Sequence, residues 1–257
     1  MTVLHNRINK KELRARMMAD PTPRTTISFY RYFPIEHVQE FRDQRYREWT
    51  QLGVLGRVYV AQEGINAQIS VPTAQVERFR EALYQLPGLA DTRLNFAVDD
   101  NGKSLYKLDL KVRHKLVADG IDDPGFNPAD TGTHLKAEDW NRLSEEEDVV
   151  IVDMRNQYES EVGHYEGAIL PDCDTFREEL DKVIQLMGEE KDKKVMMYCT
   201  GGIRCEKASA WMKYNGFPNV YQLEGGIIQY ARRIKDLGLP SKFHGKNFVF
   251  DERLGER

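Results

Sequence analysis

Two unbroken apolar runs, Val149-Val150-Ile151-Val152 and Val195-Met196-Met197-Tyr198, constrain this chain most. A strand with one wet face alternates apolar and polar residues. A run without alternation is the pattern of a parallel strand covered on both faces. Between and after these runs lie helical patterns. Phe176, Leu180, Val183, Ile184 and Met187 mark an inward face that follows a Thr175-Phe176-Arg177-Glu178 capping box. Val220 to Leu223 predicts a further strand, then Gly225-Gly226 and a helix through Arg233. Strands alternating with helices predict a doubly wound α/β domain with a parallel sheet over residues 133–240.

The earlier half has a different rhythm. Residues 1–24 form a basic arm in which Asn9 to Met18 predicts a short helix, stopped at Ala19-Asp20-Pro21-Thr22-Pro23. Thr25 to Phe33 reads as a strand. Val38, Phe41, Trp49 and Leu52 recur at near-helical spacing, and Val58-Tyr59-Val60 is a second strand. Ile65, Ala67, Ile69 and Val71 alternate with Asn66, Gln68 and Ser70, as in a half-buried strand. A helix follows with Val76, Phe79, Leu83 and Leu86 on one side. Leu94 to Val98 and Tyr106 to Leu116 are the last strands. This order predicts an α+β, ferredoxin-like or acylphosphatase-like domain of split βαβ type over residues 25–119. Residues 120–132, with Pro124, Pro128 and no apolar periodicity, read as a linker, and residues 241–257 as a C-terminal extension.

Composition excludes some classes. The net charge of -4 advertises no global affinity for nucleic acid, so a basic surface has to be local. No segment approaches the roughly 18 apolar residues of a membrane span. The polar N-terminus lacks the apolar core of an export signal. Three cysteines, Cys173, Cys199 and Cys205, cannot all pair within one chain and read as thiols in a reducing compartment, which predicts a cytoplasmic protein.

Chemistry concentrates in Cys199-Thr200-Gly201-Gly202-Ile203-Arg204. Cys199 ends a buried strand at the carboxyl edge of the sheet, where α/β folds present ligand sites. The glycines allow a tight loop, and a helix begins at Arg204. Main-chain N–H groups, the helix N-terminus and a guanidinium all favour thiolate over thiol. Such surroundings lower a cysteine pKa from ~8.5 into the range of ~3.5–7.5. Cys199 is therefore the expected nucleophile. A small buried hydrophobe in an ordinary turn is the bland alternative, and it does not account for the coincidence of strand end, double glycine, arginine and helix.

The loop resembles the active-site loop of rhodaneses. Val152-Asp153-Met154-Arg155 with Glu159, Gly163-His164-Tyr165-Glu166-Gly167-Ala168 and Leu223-Glu224-Gly225-Gly226-Ile227 resemble other stretches of that domain. Cys199 through Ser209 is similar to the signature of bacterial tRNA uridine hydroxylases that carry a rhodanese domain. Also similar are Arg24 through Tyr30, Glu63 through Ser70, Val117 through Pro124 and Gly245 through Arg253. The resemblance covers essentially the whole chain. It implies oxygen-dependent 5-hydroxylation of the wobble uridine, position 34, with dioxygen as co-substrate and tRNA, at its anticodon loop, as partner. Many members continue past the Gly-Glu-Arg matching Gly255-Glu256-Arg257 into a cysteine-rich, metal-binding tail, which this sequence does not include, and no metal is assigned. The sequence identifies no cofactor, electron donor, membrane association or obligate protein partner.

Supporting residues carry weaker signals. Cys205 is placed to resolve a persulfide or sulfenate on Cys199, but its place on the helix favours packing. Cys173 reads as structural, and His164, between glycines, as a backbone tether. Asp153 and Arg155 are expected to orient the loop, with Arg155 the better candidate to face substrate. Lys107, Lys111, Arg113 and Lys115 fall on one face of a strand, interrupted by Asp109, and the arm adds Arg7, Lys10, Lys11, Arg14 and Arg16. A row of this kind is either a solvated face or a phosphate contact. Tyr30, Tyr59 and Trp211 are candidate stacking partners for unpaired bases. Addition of the Cys199 thiolate to uracil C6, leaving C5 electron-rich, is one chemical route, and a Cys199 persulfide is the other. Two further functions stay open: a sulfurtransferase moving sulfane sulfur to a thiol or RNA acceptor, and a tRNA-binding adaptor with a vestigial rhodanese domain. A phosphatase fits less well, because four residues separate Cys199 from Arg204 where phosphatase loops carry five.

Overall fold

The computed structural model describes residues 9–97 and 102–248. Arg7, the side chain of Lys10, Val98 and residues 249–257 lie outside the described residues. The chain divides into two compact units, one up to Leu116 and one from Val117.

The first unit opens with α1 (Lys10–Ala19), whose Asn9 side chain caps the N–H of Lys11. Leu13 and Met17 of this helix are buried, so the basic arm has an inward face. Then come β1 (Arg24–Tyr32), α2 (Val38–Gln51), β2 (Leu55–Ala61), β3 (Gly64–Pro72), α3 (Val76–Tyr84), β4 (Asn95–Phe96) and β5 (Leu108–Val112). The sheet order is β4-β1-β3-β2-β5. β3 runs antiparallel to β1 and β2, which is the expected split βαβ arrangement, and β5 extends the sheet parallel to β2. Both final strands are shorter than the sequence predicts, two and five residues long. Ser70, expected to face outward, is buried. Its hydroxyl accepts from Arg24 and donates to the Gly102 carbonyl, which satisfies it there.

Alternation explains the core of this unit. Ile27 and Phe29 of β1, Val58 and Val60 of β2, and Ile69 of β3 turn towards Trp49 and Phe79 of the helices. The Trp49 and Phe79 rings meet edge to face at 5.4 Å between centroids. The opposite sheet face carries Tyr30, Asn66, Tyr59 and Lys111, which the registers place in one line across β1, β3, β2 and β5.

The second unit comprises β6 (Thr133–Leu135), α4 (Ala137–Leu143), β7 (Val149–Asp153), α5 (Gln157–Ser160), β8 (Gly163–Tyr165), α6 (Phe176–Met187), β9 (Lys194–Tyr198), α7 (Ile203–Tyr214), β10 (Val220–Leu223), α8 (Gly226–Leu237) and β11 (Phe243–Gly245). Its main sheet, β6-β10-β9-β7, is parallel throughout. Val195, Met197 and Cys199 face one apolar cluster with α6 and α7, while Met196 and Tyr198 face another with α4 and α8. That two-sided burial is the reason the run shows no alternation.

Two boundary expectations meet a different structure. Residues 120–132, expected to link the domains, are packed onto the second unit. Ile121 lies against its core, the Asp123 carboxylate accepts from the Tyr214 hydroxyl at 2.9 Å, and the Gly132 N–H donates to Ser209. The segment lacks periodicity because it is strapped by side chains rather than by a helix or ladder. The start of the expected extension is likewise integral, since β11 pairs antiparallel with β8. The Thr175 hydroxyl accepts the Glu178 N–H at 3.3 Å, one half of the expected box. A reciprocal capping box is formed instead by Asn156 and Glu159.

Trp49 is 1% exposed and central to the aromatic cluster of the first unit. Trp49→Ala is expected to destabilise that unit by about 3–5 kcal/mol. Urea unfolding followed separately by probes in the two units should show the loss in the first transition only.

Candidate active site

The loop begins where β9 ends, and α8 holds it from beneath. The N–H groups of Ile227 and Ile228 donate to the carbonyls of Cys199 (3.0 Å) and Thr200 (3.2 Å). Gly226, at φ +65°, makes this approach: a Cβ there would lie 2.5 Å from the Cys199 oxygen. The Gly225-Gly226 turn is thus a floor for the loop. In the loop itself only the second glycine adopts a left-handed conformation, Gly202 at φ +100°. That angle turns its N–H onto Cys199 Sγ at 3.2 Å.

Further donors converge on the sulfur. The Cys205 thiol, the Arg204 charge and the N–H groups of Cys205 and Arg204 each favour the charged form of the sulfur. Burial, the largest influence, pushes the thiol up; the donors and the cation together outweigh it, and the pKa falls to about 6. Cys199 has no exposed surface. Cys205 is the converse: burial and then the Cys199 thiolate push its thiol well up, so it remains an S–H donor. Its place six residues after Cys199, within the first turn of α7, brings it to the sulfur. It therefore does more than pack.

Arg204 is fixed by Glu159. Its Nη1 and Nη2 donate to the two carboxylate oxygens at 2.6 and 2.9 Å. Thr200 donates to the same carboxylate at 3.1 Å and accepts from Arg204. Glu159 is fully buried, and the Asn156 N–H binds it too, so the α5 capping box aims the carboxylate at the loop. Gly201, Ile203 and Arg204 are half-buried, and Thr200 and Gly202 are buried.

Asp153 and Arg155 form a separate buried network. Arg155 donates to both Asp153 oxygens at 2.8 and 2.7 Å and to the Gly163 carbonyl. Asp153 also accepts from Tyr198 at 2.7 Å and Ser160 at 3.1 Å. Arg155 has no exposed surface, so the expectation that it faces substrate is corrected. Its Nε and Nη2 help to hold β7, β8 and β9 together, while its Nη1 is buried without a hydrogen-bond partner. His164 Nδ1 lies 3.1 Å from the Ser160 carbonyl, as a tether does. Cys173 is buried, with its carbonyl accepting from Gln157. Trp211 stacks on Tyr214 and meets Phe126 edge-on, so its ring is engaged within the unit.

Two buried acids near the loop escaped the sequence reading as site residues. Glu159 was visible only as part of a resemblance. Glu179 is buried on α6 among Phe176, Leu180 and Val183. Its signal was legible: it falls three residues after Phe176 and four before Val183, an acid inside an apolar stripe. Among the described residues no His, Cys, Asp and Glu side chains are grouped to hold a metal ion, and no step is assigned to one.

In the first unit Lys107, Lys111 and Arg113 are exposed and Lys115 is half-buried. Asp109 pairs with Lys111 at 2.8 Å, and the Arg113 guanidinium lies over the Tyr59 ring at 5.1 Å. The arm residues Lys11, Arg14 and Arg16 are exposed, with Arg16 paired to Glu12.

An anion-stabilising loop at the carboxyl edge of a parallel sheet, preceded by a split βαβ unit, defines a rhodanese-type thiolate enzyme with an added α+β domain. Residues 24–116 match the family described as the UPF0176 acylphosphatase-like domain, and residues 136–233 match the rhodanese-like domain. A tRNA uridine(34) hydroxylase from Sodalis glossinidius is 61% identical over the whole of this chain and 74% of its own length. One from Citrobacter koseri is 59% identical with the same coverage. A rhodanese-like domain from Anabaena sp. is 22% identical over 44% of this chain and 78% of its own, with a TM-score of 0.35. The chain belongs to the tRNA uridine(34) hydroxylase family. The resemblance seen in the sequence and both expected domain types are borne out.

The pH dependence of Cys199 alkylation by iodoacetamide, located by mass spectrometry, should rise with pH to a midpoint near 6. Cys205→Ala removes an S–H donor to the thiolate and is expected to move that midpoint upward. An unchanged midpoint would mean the thiol plays no part. Gly226→Ala is expected to slow alkylation at all pH values and to lower stability, because its Cβ has backbone oxygens on two sides.

Proposed function

We propose that this chain hydroxylates C5 of uridine 34 in tRNA, consuming dioxygen, with the Cys199 thiolate as the attacking group. Family membership supplies the substrate and the reaction, and one observation carries the assignment to Cys199. Its sulfur is the point on which the donors of Gly202, Arg204 and Cys205 converge. A thiolate stabilised near neutrality adds to the electrophilic C6 of a pyrimidine, which makes C5 electron-rich and open to oxidation. Inserting one oxygen atom of dioxygen and releasing the other as water requires two electrons, which an external donor supplies.

The anticodon loop offers unpaired bases, the part of an RNA that side chains read most readily. In the first unit Tyr30 and Tyr59 provide faces for stacking, and Lys107, Lys111, Arg113 and Lys115 provide charge for phosphates. Among the described residues no helix is long and apolar enough to cross a membrane. The three cysteines are free, and the reaction needs Cys199 reduced, so we place the enzyme in the cytoplasm, where tRNA resides.

Nucleoside analysis of tRNA from cells lacking the gene tests the reading. The 5-oxygenated uridine should vanish and return with the wild-type chain but not with Cys199→Ser. Full rescue by Cys199→Ser would sink it in favour of an adaptor role. Thiocyanate formation from thiosulfate and cyanide, without loss of the modified nucleoside in the knockout, would favour a sulfurtransferase. For the basic row, Lys111→Glu should weaken tRNA binding and reduce the slope of log affinity against log salt by about one phosphate contact. The modified position should stay the same.

A further inference from the structure

A carboxyl group taken out of water is normally paired. Glu179 is 1% exposed, and neither of its side-chain oxygens has a hydrogen-bond partner. It lies on α6 beside Phe176 and Leu180, whose side chains pack in the same cluster as Cys199 and Cys205. The charged groups that act on it come from four other parts of the unit: Arg204 of α7, Asp153 at the end of β7, Glu159 of α5 and Cys199 after β9. Three of these four are acidic. The single cation, Arg204, is already held by both oxygens of Glu159. Burial above all, with the three acidic neighbours adding to it, pushes the Glu179 carboxyl well up. A carboxyl buried without a partner keeps its proton more readily than one in water, and no hydrogen-bond partner lies against it.

The compartment thus pushes the two groups in opposite directions, the sulfur towards its charged form and the carboxyl towards its neutral one. Opposed shifts of this kind are what general acid–base chemistry asks of a nucleophile and an acid that act together.

We propose that Glu179 is a catalytic residue, giving its proton to the uracil ring as Cys199 adds and taking one back as Cys199 leaves. The inference rests on the reading of Cys199 as the nucleophile. In the addition a sulfur lone pair forms the S–C6 bond, the C5–C6 π pair shifts towards the C4 carbonyl, and the enolate oxygen takes the Glu179 proton. The carboxylate left behind feels the charge of Arg204. Once oxygen has entered at C5 and the C4 carbonyl has re-formed with release of the enol proton, that carboxylate takes the C5 hydrogen as a proton, the C5–C6 double bond returns and the thiolate leaves. Addition and elimination are each redox-neutral, and dioxygen with the external two-electron donor accounts for the oxidation between them.

The test uses the full chain with tRNA under single-turnover conditions, reading 5-hydroxyuridine formation against pH alongside Cys199 alkylation. For the wild type, the rate should rise as Cys199 ionises near pH 6 and fall at higher pH as Glu179 loses its proton. Glu179→Gln keeps the shape but has no proton to transfer. It should slow hydroxylation by about 10²–10⁴-fold and remove the alkaline limb, with alkylation close to wild type. Glu179→Asp should recover part of the rate. Hydroxylation by Glu179→Gln within about threefold of wild type would overturn the proposal, as would a loss of alkylation in proportion to the loss of turnover, since general-acid removal alone predicts at least ~10²-fold. If Glu179→Gln fails to fold, Glu179→Met takes its place, and full activity there would equally overturn it. An inactive Cys199→Ser beside a fully active Glu179→Gln would remove this inference alone, whereas an active Cys199→Ser would remove the nucleophile reading beneath it.

Discussion

Arg204 stands between two anions, and the rest of the site follows from how that is sustained. A thiolate with no exposed surface would take up a proton unless a cation and hydrogen-bond donors replaced the lost water. Arg204 supplies the cation, but a guanidinium that is itself mostly buried needs a partner of its own. Glu159 is that partner, engaged in bidentate fashion and further held by Thr200 and the N–H of Asn156. The dependence therefore runs from the α5 capping box to a carboxylate, from the carboxylate to a guanidinium, and from the guanidinium to sulfur. Each step fixes a direction as well as a charge. Removing Glu159 would free the cation to turn away from Cys199, so a buried carboxylate sets the state of the sulfur.

The Asp153–Arg155 pair shows why a buried charge near an active site need not be chemical. All of its interactions run inward, to Tyr198 at the end of β9, Ser160 on α5 and the carbonyl of Gly163 on β8. It ties together the strand ends from which the loop projects. Breaking such a pair on one side would strand a charge in the interior at a cost of about 3–5 kcal/mol, a penalty paid in folding rather than in turnover. Glu159–Arg204 is likewise a buried carboxylate with a guanidinium but has sulfur within its field. Position relative to Cys199, more than burial, separates the two pairs in function.

Much of this was legible in the chain. Continuous apolar runs announced the two-sided strands, alternation announced β3, and the sequence around Cys199 announced a thiolate loop. Signals failed where structure depends on single long-range contacts. Nothing periodic marks residues 120–132, because Ile121 packs against an apolar cluster while Asp123 and Gly132 are each held by a separate side chain, Tyr214 and Ser209. Arg155 was misplaced because spacing along a strand end gives a direction but not a partner. Cys205 was underrated because its angle from Arg204 on the helix says nothing about the distance to a sulfur six residues back across a tight turn. Glu179 was the readable omission: an acid on an apolar stripe is a conflict between side chain and environment, and such conflicts mark sites more reliably than exposed charge does.

The complete burial of Cys199 bears on how a base can reach it. In the loop and at the start of α7, Gly201, Ile203 and Arg204 are only half-buried. A pyrimidine arriving at Sγ has to displace some of them, so entry and loop movement are one event. The α8 amides pin the carbonyls of Cys199 and Thr200 from below, which leaves the upper half of the loop as the part able to yield. Until that moment the sulfur sits in a dry compartment with its charge balanced by fixed donors, and little reorganisation is needed when the base replaces the displaced atoms. On the proposed function, an unpaired base enters such a site without the cost of opening a duplex. Closure around that proposed substrate would keep water from the reacting ring, which ties the burial of the thiolate to its chemistry.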